Sequence, residues 1–155
     1  MRLHKVAHTV YKTQYHIVWV TRYRRKILVP GVQRYLHVKL EEVRKDYTDL
    51  EYAAIGLEVD HVHLHMVIPP KYAVSFAVET LKKNTRRALS ETLAFLSRVY
   101  WDGEGIWSTG YFVSTVGINE AIIRRYVEMQ GKEDADKRSL NGFEYHAYKG
   151  VGIYA

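Results

Sequence analysis

From Asp60 to Val67 the chain reads Asp-His-Val-His-Leu-His-Met-Val, an alternation of polar and apolar side chains. Period two belongs to a strand, where successive side chains point to opposite faces. His61, His63 and His65 therefore share one face, and Val62, Leu64 and Met66 share the other. The apolar face has to be covered, and helices can cover it. This segment commits the chain to a sheet with two chemically different sides.

The remaining pattern supplies the other elements. Thr9 to Val20 is rich in β-branched and aromatic residues and reads as a strand. A basic turn follows, from Arg22 to Lys26. Pro30 and Gly31 mark the start of a helix whose Val32, Leu36, Leu40, Val43 and Tyr47 fall on one face. Leu50 to Val59 and His61 to Ile68 read as a hairpin turning near Val59-Asp60. A single bent strand is the alternative, because no Asn-Gly or Asp-Gly pair separates them. Pro69-Pro70 ends the pairing.

A second helix spans about Ser75 to Leu96. Val78, Leu81, Thr85, Ala88, Leu89, Thr92 and Leu96 form its inner stripe, and Lys82, Lys83, Arg86 and Arg87 the remaining face. Gly103, Gly105 and Gly110 surround Trp101 and Trp107 in an irregular stretch. Tyr111 to Val116 is a short strand. Asn119 is an N-cap for a third helix running to about Gly131, with a charged, exposed run from Lys132 to Lys137 after it. The aromatic, Gly-rich tail from Phe143 to Tyr154 has no assignment. The order βαββαβα predicts an α+β fold: a ferredoxin-like, split βαβ antiparallel sheet with helices packed on one face. Residues 1–155 read as a single domain.

Composition limits the chemistry. The chain has 155 residues and no cysteine, so any metal must be held by His, Asp, Glu, Gln or backbone oxygen. No apolar run is long enough for a membrane span and no signal peptide is visible, which points to the cytoplasm. The net charge of +6 suits a phosphate-bearing partner. Arg22, Arg24, Arg25 and Lys26, with Lys82, Lys83, Arg86 and Arg87, are the candidate nucleic-acid contacts. Thirteen tyrosines and three tryptophans offer stacking surfaces to single strands.

Two of the three clustered histidines can bind one ion, since adjacent same-face positions on a strand are close. His4, His8, His16, His37 and His146 are isolated and read as surface or core residues. On the third helix Tyr126 and Gln130 are four residues apart and so neighbours on one face, which Ile122, Ile123 and Val127 turn inward. A tyrosine in such a stripe is usually packing. An inward Gln needs a polar partner, and its carbonyl oxygen can complete a metal shell that two imidazoles leave open. Imidazole plus amide oxygen suits Mg²⁺ or Mn²⁺. Phosphodiester cleavage needs a nucleophile, a Lewis acid and positioning, and Tyr126 with this ion supplies the first two.

Four segments resemble the IS200/IS605 family of single-tyrosine transposases, within the His-hydrophobic-His endonuclease superfamily. They are Tyr15-His16-Ile17-Val18-Trp19 continuing to Arg25, Asp60-His61-Val62-His63-Leu64, Trp107-Ser108-Thr109-Gly110-Tyr111 continuing to Val113, and Tyr126-Val127-Glu128-Met129-Gln130. They occur in the family's order from position 15 to 130. The resemblance implies His61 and His63 as the metal pair, Gln130 as third ligand and Tyr126 as nucleophile. It implies a 5′-phosphotyrosine link to single-stranded DNA, cut near hairpins at transposon ends and then rejoined. It also implies a homodimer in which the tyrosine helix can complete the partner's site. His65 departs from the family, which usually has an apolar residue there, and leaves open His63 with His65, or all three, as ligands.

Two other classes compete. A non-catalytic module resembling an RNA-recognition motif would use the same basic clusters, but needs exposed aromatics on its central strands. A metal-dependent hydrolase with a water nucleophile would leave Tyr126 unexplained. A covalent protein–DNA adduct separates the transposase from both.

Overall fold

The computed structural model describes residues 3–100 and 104–149, with side chains up to residue 137 apart from that of Val6. Trp101, Gly103, the side chains of the expected tail and that of His146 lie outside the described residues. Two short strands, β1 (His4–Val6) and β2 (Thr9–Tyr11), pair antiparallel as a separate hairpin. The four-stranded sheet is built from β3 (Gln14–Val20), β4 (Glu51–Leu57), β5 (His61–Val67) and β6 (Phe112–Ser114). Thr9 to Val20 is therefore two strands rather than one. Thr9–Tyr11 pairs back on His4–Val6, and Thr13 then ties the incoming chain to Ile68 through its hydroxyl.

The sheet order is β4-β5-β3-β6, with every neighbouring pair antiparallel. Helix α1 (Pro30–Asp46) joins β3 to β4, and α2 (Val74–Thr92) lies between β5 and β6. Each unit skips one strand, which is the split βαβ arrangement that the element order predicts. Pro30 opens α1, where its missing N–H costs nothing. Val32, Leu36, Leu40 and Val43 are buried along one stripe of that helix. They meet Ile17, Trp19, Val62, Leu64 and Met66 from the sheet and Ala77, Val78, Leu81 and Leu89 from α2 in one apolar core. Each such aliphatic side chain contributes about 1.5–3 kcal/mol when fully buried.

The β4–β5 hairpin forms without a Gly-containing turn because tertiary bonds fix its tip. Glu58 N–H donates to the His61 carbonyl at 3.0 Å, Thr21 N–H to the Asp60 carbonyl at 2.9 Å, and Leu28 N–H to the Val59 carbonyl at 3.0 Å. Helix α2 ends at Thr92, short of the expected Leu96, which is instead buried from the one-turn helix α3 (Leu96–Val99).

The last helix differs most from expectation. Helix α4 runs over Glu120–Lys149, well past Gly131. Asn119 caps it, its side-chain oxygen accepting from Ile122 N–H at 3.0 Å. Gly131 does not stop the helix; a Cβ there would collide with the Arg24 side chain, so glycine serves close approach. Nor do all helices share one face. While α1 and α2 cover the Trp19 face, α4 packs on the opposite one, where Val127 joins Val18 and Val20 in a second buried cluster. Among the described residues no helix is long and apolar enough to cross a membrane.

Candidate active site

The face of the sheet opposite α1 and α2 is laid out by strand register. His61 stands beside Val20, His63 beside Val18, and His65 beside His16. On the other side of β5, Gly56 lies beside His63 and Ala54 beside His65, so little side-chain bulk flanks the histidines there. Val18 in turn pairs with Phe112. One cross-strand row thus reads Gly56, His63, Val18, Phe112, and the Tyr126 ring rests on Phe112 with centroids 5.8 Å apart. The strand pattern at His61–Val67 and the helical pattern at Tyr126 converge on one surface. As the alternation predicts, Val62, Leu64 and Met66 are buried and the three histidines half-buried.

The histidines differ in what their ring nitrogens meet. His61 Nδ1 is 2.8 Å from Asp60 Oδ1, the carboxylate–imidazole pairing that orients many metal-binding histidines. The other Asp60 oxygen holds Arg24 Nε at 3.4 Å. His63 Nε2 lies 3.4 Å from His16 Nδ1. Burial, then the neighbouring His16, His61 and His65, hold the His63 imidazole below the usual range and keep it neutral, the form a metal needs. His65 Nε2 bonds Gln14 Oε1 at 2.9 Å, and its ring stacks on His16 at 4.2 Å. His16 is therefore not an isolated histidine but the fourth imidazole of this face.

Tyr126 is half-buried. Burial first, then the negative charges of Asp134 and Glu133, push its phenol up to about 12. It stays protonated at neutral pH until something at the site favours the oxyanion. Gln130 is 5% exposed and Asp134, one turn further along α4, is 4% exposed. Asp134 departs from the expectation of an exposed Lys132–Lys137 run. Its Oδ1 accepts from the Ser108 hydroxyl at 2.9 Å and its Oδ2 from Tyr23 N–H at 3.1 Å. Burial raises the Asp134 carboxyl above its ordinary range, while the Ser108 bond and Arg22 act the other way.

The basic residues divide. Lys83, Arg86 and Arg87 are exposed along α2, and Lys83 and Arg86 line an open groove of about 620 Å³ with Phe76, Glu104 and Gly105. Lys82 leaves that group: it is 8% exposed, and its Nζ donates to the carbonyls of Ser108 at 2.8 Å and Gly110 at 2.9 Å. Lys26 and Arg24 are exposed. Arg22 donates to the Trp107 carbonyl at 3.2 Å, and Arg25 lies over the Tyr23 and Tyr100 rings.

Sequence reasoning thus missed His16, Asp60, Ser108 and Asp134. Only Asp134 carried a usable signal, since it continues the four-residue spacing of Tyr126 and Gln130 on one helix face. Among the described residues no three His, Asp or Glu side chains are placed to hold an ion together. The donor types fit an ion bound by two imidazoles and an amide oxygen: His61 engages Asp60 through Nδ1 rather than Nε2, His63 is neutral, and Gln130 is buried.

The chain matches the family described as Transposase IS200 like over residues 9–130. It is 33% identical over 129 residues to the transposase for insertion sequence element IS200 of Salmonella typhimurium, covering 83% of this chain and 84% of that one. With the ISDra2 transposase TnpA of Deinococcus radiodurans it shares 31% identity over 122 residues, 78% of this chain and 86% of the other. The crystal structure of a Deinococcus radiodurans protein assigned as a transposase superposes with a TM-score of 0.71 at 30% identity, covering 82% of this chain and 97% of that one. A REP-associated tyrosine transposase bound to a REP hairpin shares the fold, with a TM-score of 0.52 at 17% identity over 76% of this chain and 64% of its own. With four-fifths of its length matched and the histidine strand and tyrosine helix on one face, this chain belongs to the IS200-like transposase family.

Proposed function

We propose that the chain cleaves and rejoins single-stranded DNA through Tyr126, with His61, His63 and Gln130 holding a divalent ion, Mg²⁺ or Mn²⁺. The observation that carries this reading is the docking of the tyrosine helix on the histidine face, with Val127 against Val18 and Val20 and Tyr126 on Phe112. The ion, when bound, polarises the scissile phosphate and stabilises charge on the departing oxygen. Asp60 orients His61 toward it. The Tyr126 hydroxyl gives up its proton to solvent as its oxygen bonds phosphorus. The bond from phosphorus to the 3′ oxygen breaks, and that oxygen takes a proton from solvent and leaves as a hydroxyl. The 5′-phosphotyrosine keeps the strand attached until another 3′ hydroxyl reverses the exchange.

His65 is a poorer ligand candidate, because its Nε2 is held by Gln14 Oε1 at 2.9 Å, a closer contact than the 3.4 Å between His63 Nε2 and His16. Lys83, Arg86, Arg87, Lys26 and Arg24 are the exposed cations for the DNA backbone. By analogy with the relative bound to a REP hairpin, the substrate is a strand carrying hairpins at transposon ends. A homodimer would bring two such ends together. The competing binding module is disfavoured because β3 and β5 present Val18, Val20 and histidines, not stacking aromatics, on this face. The test is incubation of a labelled hairpin strand with protein and Mn²⁺, followed by a denaturing gel. A covalent adduct supports the proposal, and cleavage without adduct refutes the tyrosine nucleophile.

A further inference from the structure

We propose that His16 and His63 form a transition-metal site of their own, a two-imidazole clamp that takes Zn²⁺ and, by occupying His63, displaces the ion used in cleavage. The displacement, though not the zinc binding, rests on the reading of His63 as a ligand of that ion. His16 Nδ1 and His63 Nε2 face each other at 3.4 Å between β3 and β5. Hydrogen bonds from N–H usually span about 2.7–3.2 Å, so this spacing is long for one. It is the spacing of two nitrogens on one tetrahedral ion. With Zn–N lengths of about 2.0–2.1 Å, tetrahedral geometry sets them about 3.3–3.4 Å apart. An octahedral ion with bonds of that length would hold neighbouring nitrogens at about 2.9 Å.

The sheet holds the clamp in place. Register sets His16 beside His65 and Val18 beside His63, so His16 and His63 are diagonal neighbours on the two central strands. The His16 ring is stacked on His65, with centroids 4.2 Å apart and 17° between the planes. His65 Nε2 is in turn held by Gln14 Oε1 at 2.9 Å. That bond takes His65 out of the clamp and braces the His16 ring from one side. Both clamp rings are half-buried, open enough for an ion to enter. Paired imidazoles suit Zn²⁺, whereas Mg²⁺ prefers oxygen. Two protein nitrogens leave two corners of the tetrahedron to solvent. His63 is thus shared: with His61 and Gln130 it serves the cleavage ion, and with His16 it serves zinc.

The experiment titrates Zn²⁺ alone into the full chain by calorimetry, for wild type, His16→Phe, His61→Ala and His63→Ala. It is repeated with Co²⁺, whose d–d absorption is intense in tetrahedral sites and weak in octahedral ones. Phenylalanine keeps a ring on His65 and removes the nitrogen. Groups that merely orient a ligand are worth about 10–100-fold in metal affinity, so losing a ligand should weaken Zn²⁺ binding at least about tenfold. That loss, with loss of the tetrahedral Co²⁺ band, is expected in His16→Phe and His63→Ala and not in His61→Ala. In Mn²⁺-supported cleavage of a hairpin strand, added Zn²⁺ should inhibit the wild type. His16→Phe should need at least about tenfold more Zn²⁺ for the same fractional inhibition. Wild-type Zn²⁺ affinity in His16→Phe, or an equal loss in His61→Ala, overturns the inference. Undiminished inhibition of His16→Phe overturns the displacement. Mn²⁺-supported cleavage that survives in His63→Ala overturns the proposed cleavage pair instead, and the calorimetry still decides the clamp. If His16→Phe does not fold, His16→Leu takes its place, and unchanged Zn²⁺ affinity there overturns the inference.

Discussion

The His16 ring stacks on that of His65 with centroids 4.2 Å apart, and Gln14 takes the His65 Nε2 from the same strand. The third histidine of the alternating strand is thereby tied to β3, while His61 is held by Asp60 through Nδ1. His61→Ala and His63→Ala should each abolish rescue of cleavage by Mn²⁺ after chelation. His65→Ala should retain at least a tenth of the wild-type rescued rate, about 1.4 kcal/mol at most. Equal loss at all three positions would move the metal pair toward His65.

Tyr126→Phe removes one oxygen and leaves the ring on Phe112. The variant should bind a hairpin strand with wild-type affinity and form no adduct. Because the ring keeps its contact with Phe112, the unfolding midpoint should move little. Residual adduct at the wild-type rate would assign the nucleophile elsewhere.

Much of this was legible in the sequence because period two and period 3.6 are local signals. The alternation at His61–Met66 gave both faces of β5, and the spacing of Tyr126 and Gln130 gave one face of α4. What stayed hidden depends on register across distant segments. His16 joins the histidines only through its pairing with His65, 49 positions further along the chain. Lys82 looks like any exposed cation until Ser108 and Gly110 turn their carbonyls to it. Gly131 reads as a helix stop, and only the approach of Arg24 shows that the glycine makes room instead.

That approach can be tested directly. In an isolated helix, Gly131→Ala should add up to about 1 kcal/mol of stability. Here the new methyl would displace Arg24, which pairs with Asp60, which in turn orients His61. Gly131→Ala should therefore lower cleavage at least tenfold without raising the unfolding midpoint. Wild-type cleavage with a higher midpoint would show that Arg24 moves aside freely.

The split among basic residues gives two separable phenotypes. Changing Lys83, Arg86 and Arg87 to Glu should weaken hairpin-strand binding and flatten its salt dependence, by roughly 0.7 in the log–log slope per lost phosphate contact. The unfolding midpoint should stay near wild type. Lys82→Met should instead orphan two carbonyls and cost about 2 kcal/mol of stability, with the salt slope retained. If Lys82→Met flattens the slope as much as the surface changes do, the lysine reaches DNA after all.

The last prediction concerns which subunit's tyrosine serves which histidines. In this chain α4 lies on its own sheet, anchored by Val127 and Asp134. It is reached through Thr115, Val116 and Gly117, all exposed, and a side chain at Gly117 would meet nothing. That short link could carry the helix to a neighbouring sheet without disturbing β6. In the proposed dimer at least one state should place Tyr126 in trans. A Tyr126→Phe subunit and a His61→Ala/His63→Ala subunit are each expected to be inactive alone. Mixed, they should regain adduct formation at one site per dimer, built from the first subunit's histidines and the second's Tyr126 and Gln130. If α4 serves only its own sheet, neither subunit has a whole site and the mixture stays inactive. Inactivity despite demonstrated heterodimers that bind the hairpin strand would rule out the trans state and leave the chemistry of Tyr126 untouched.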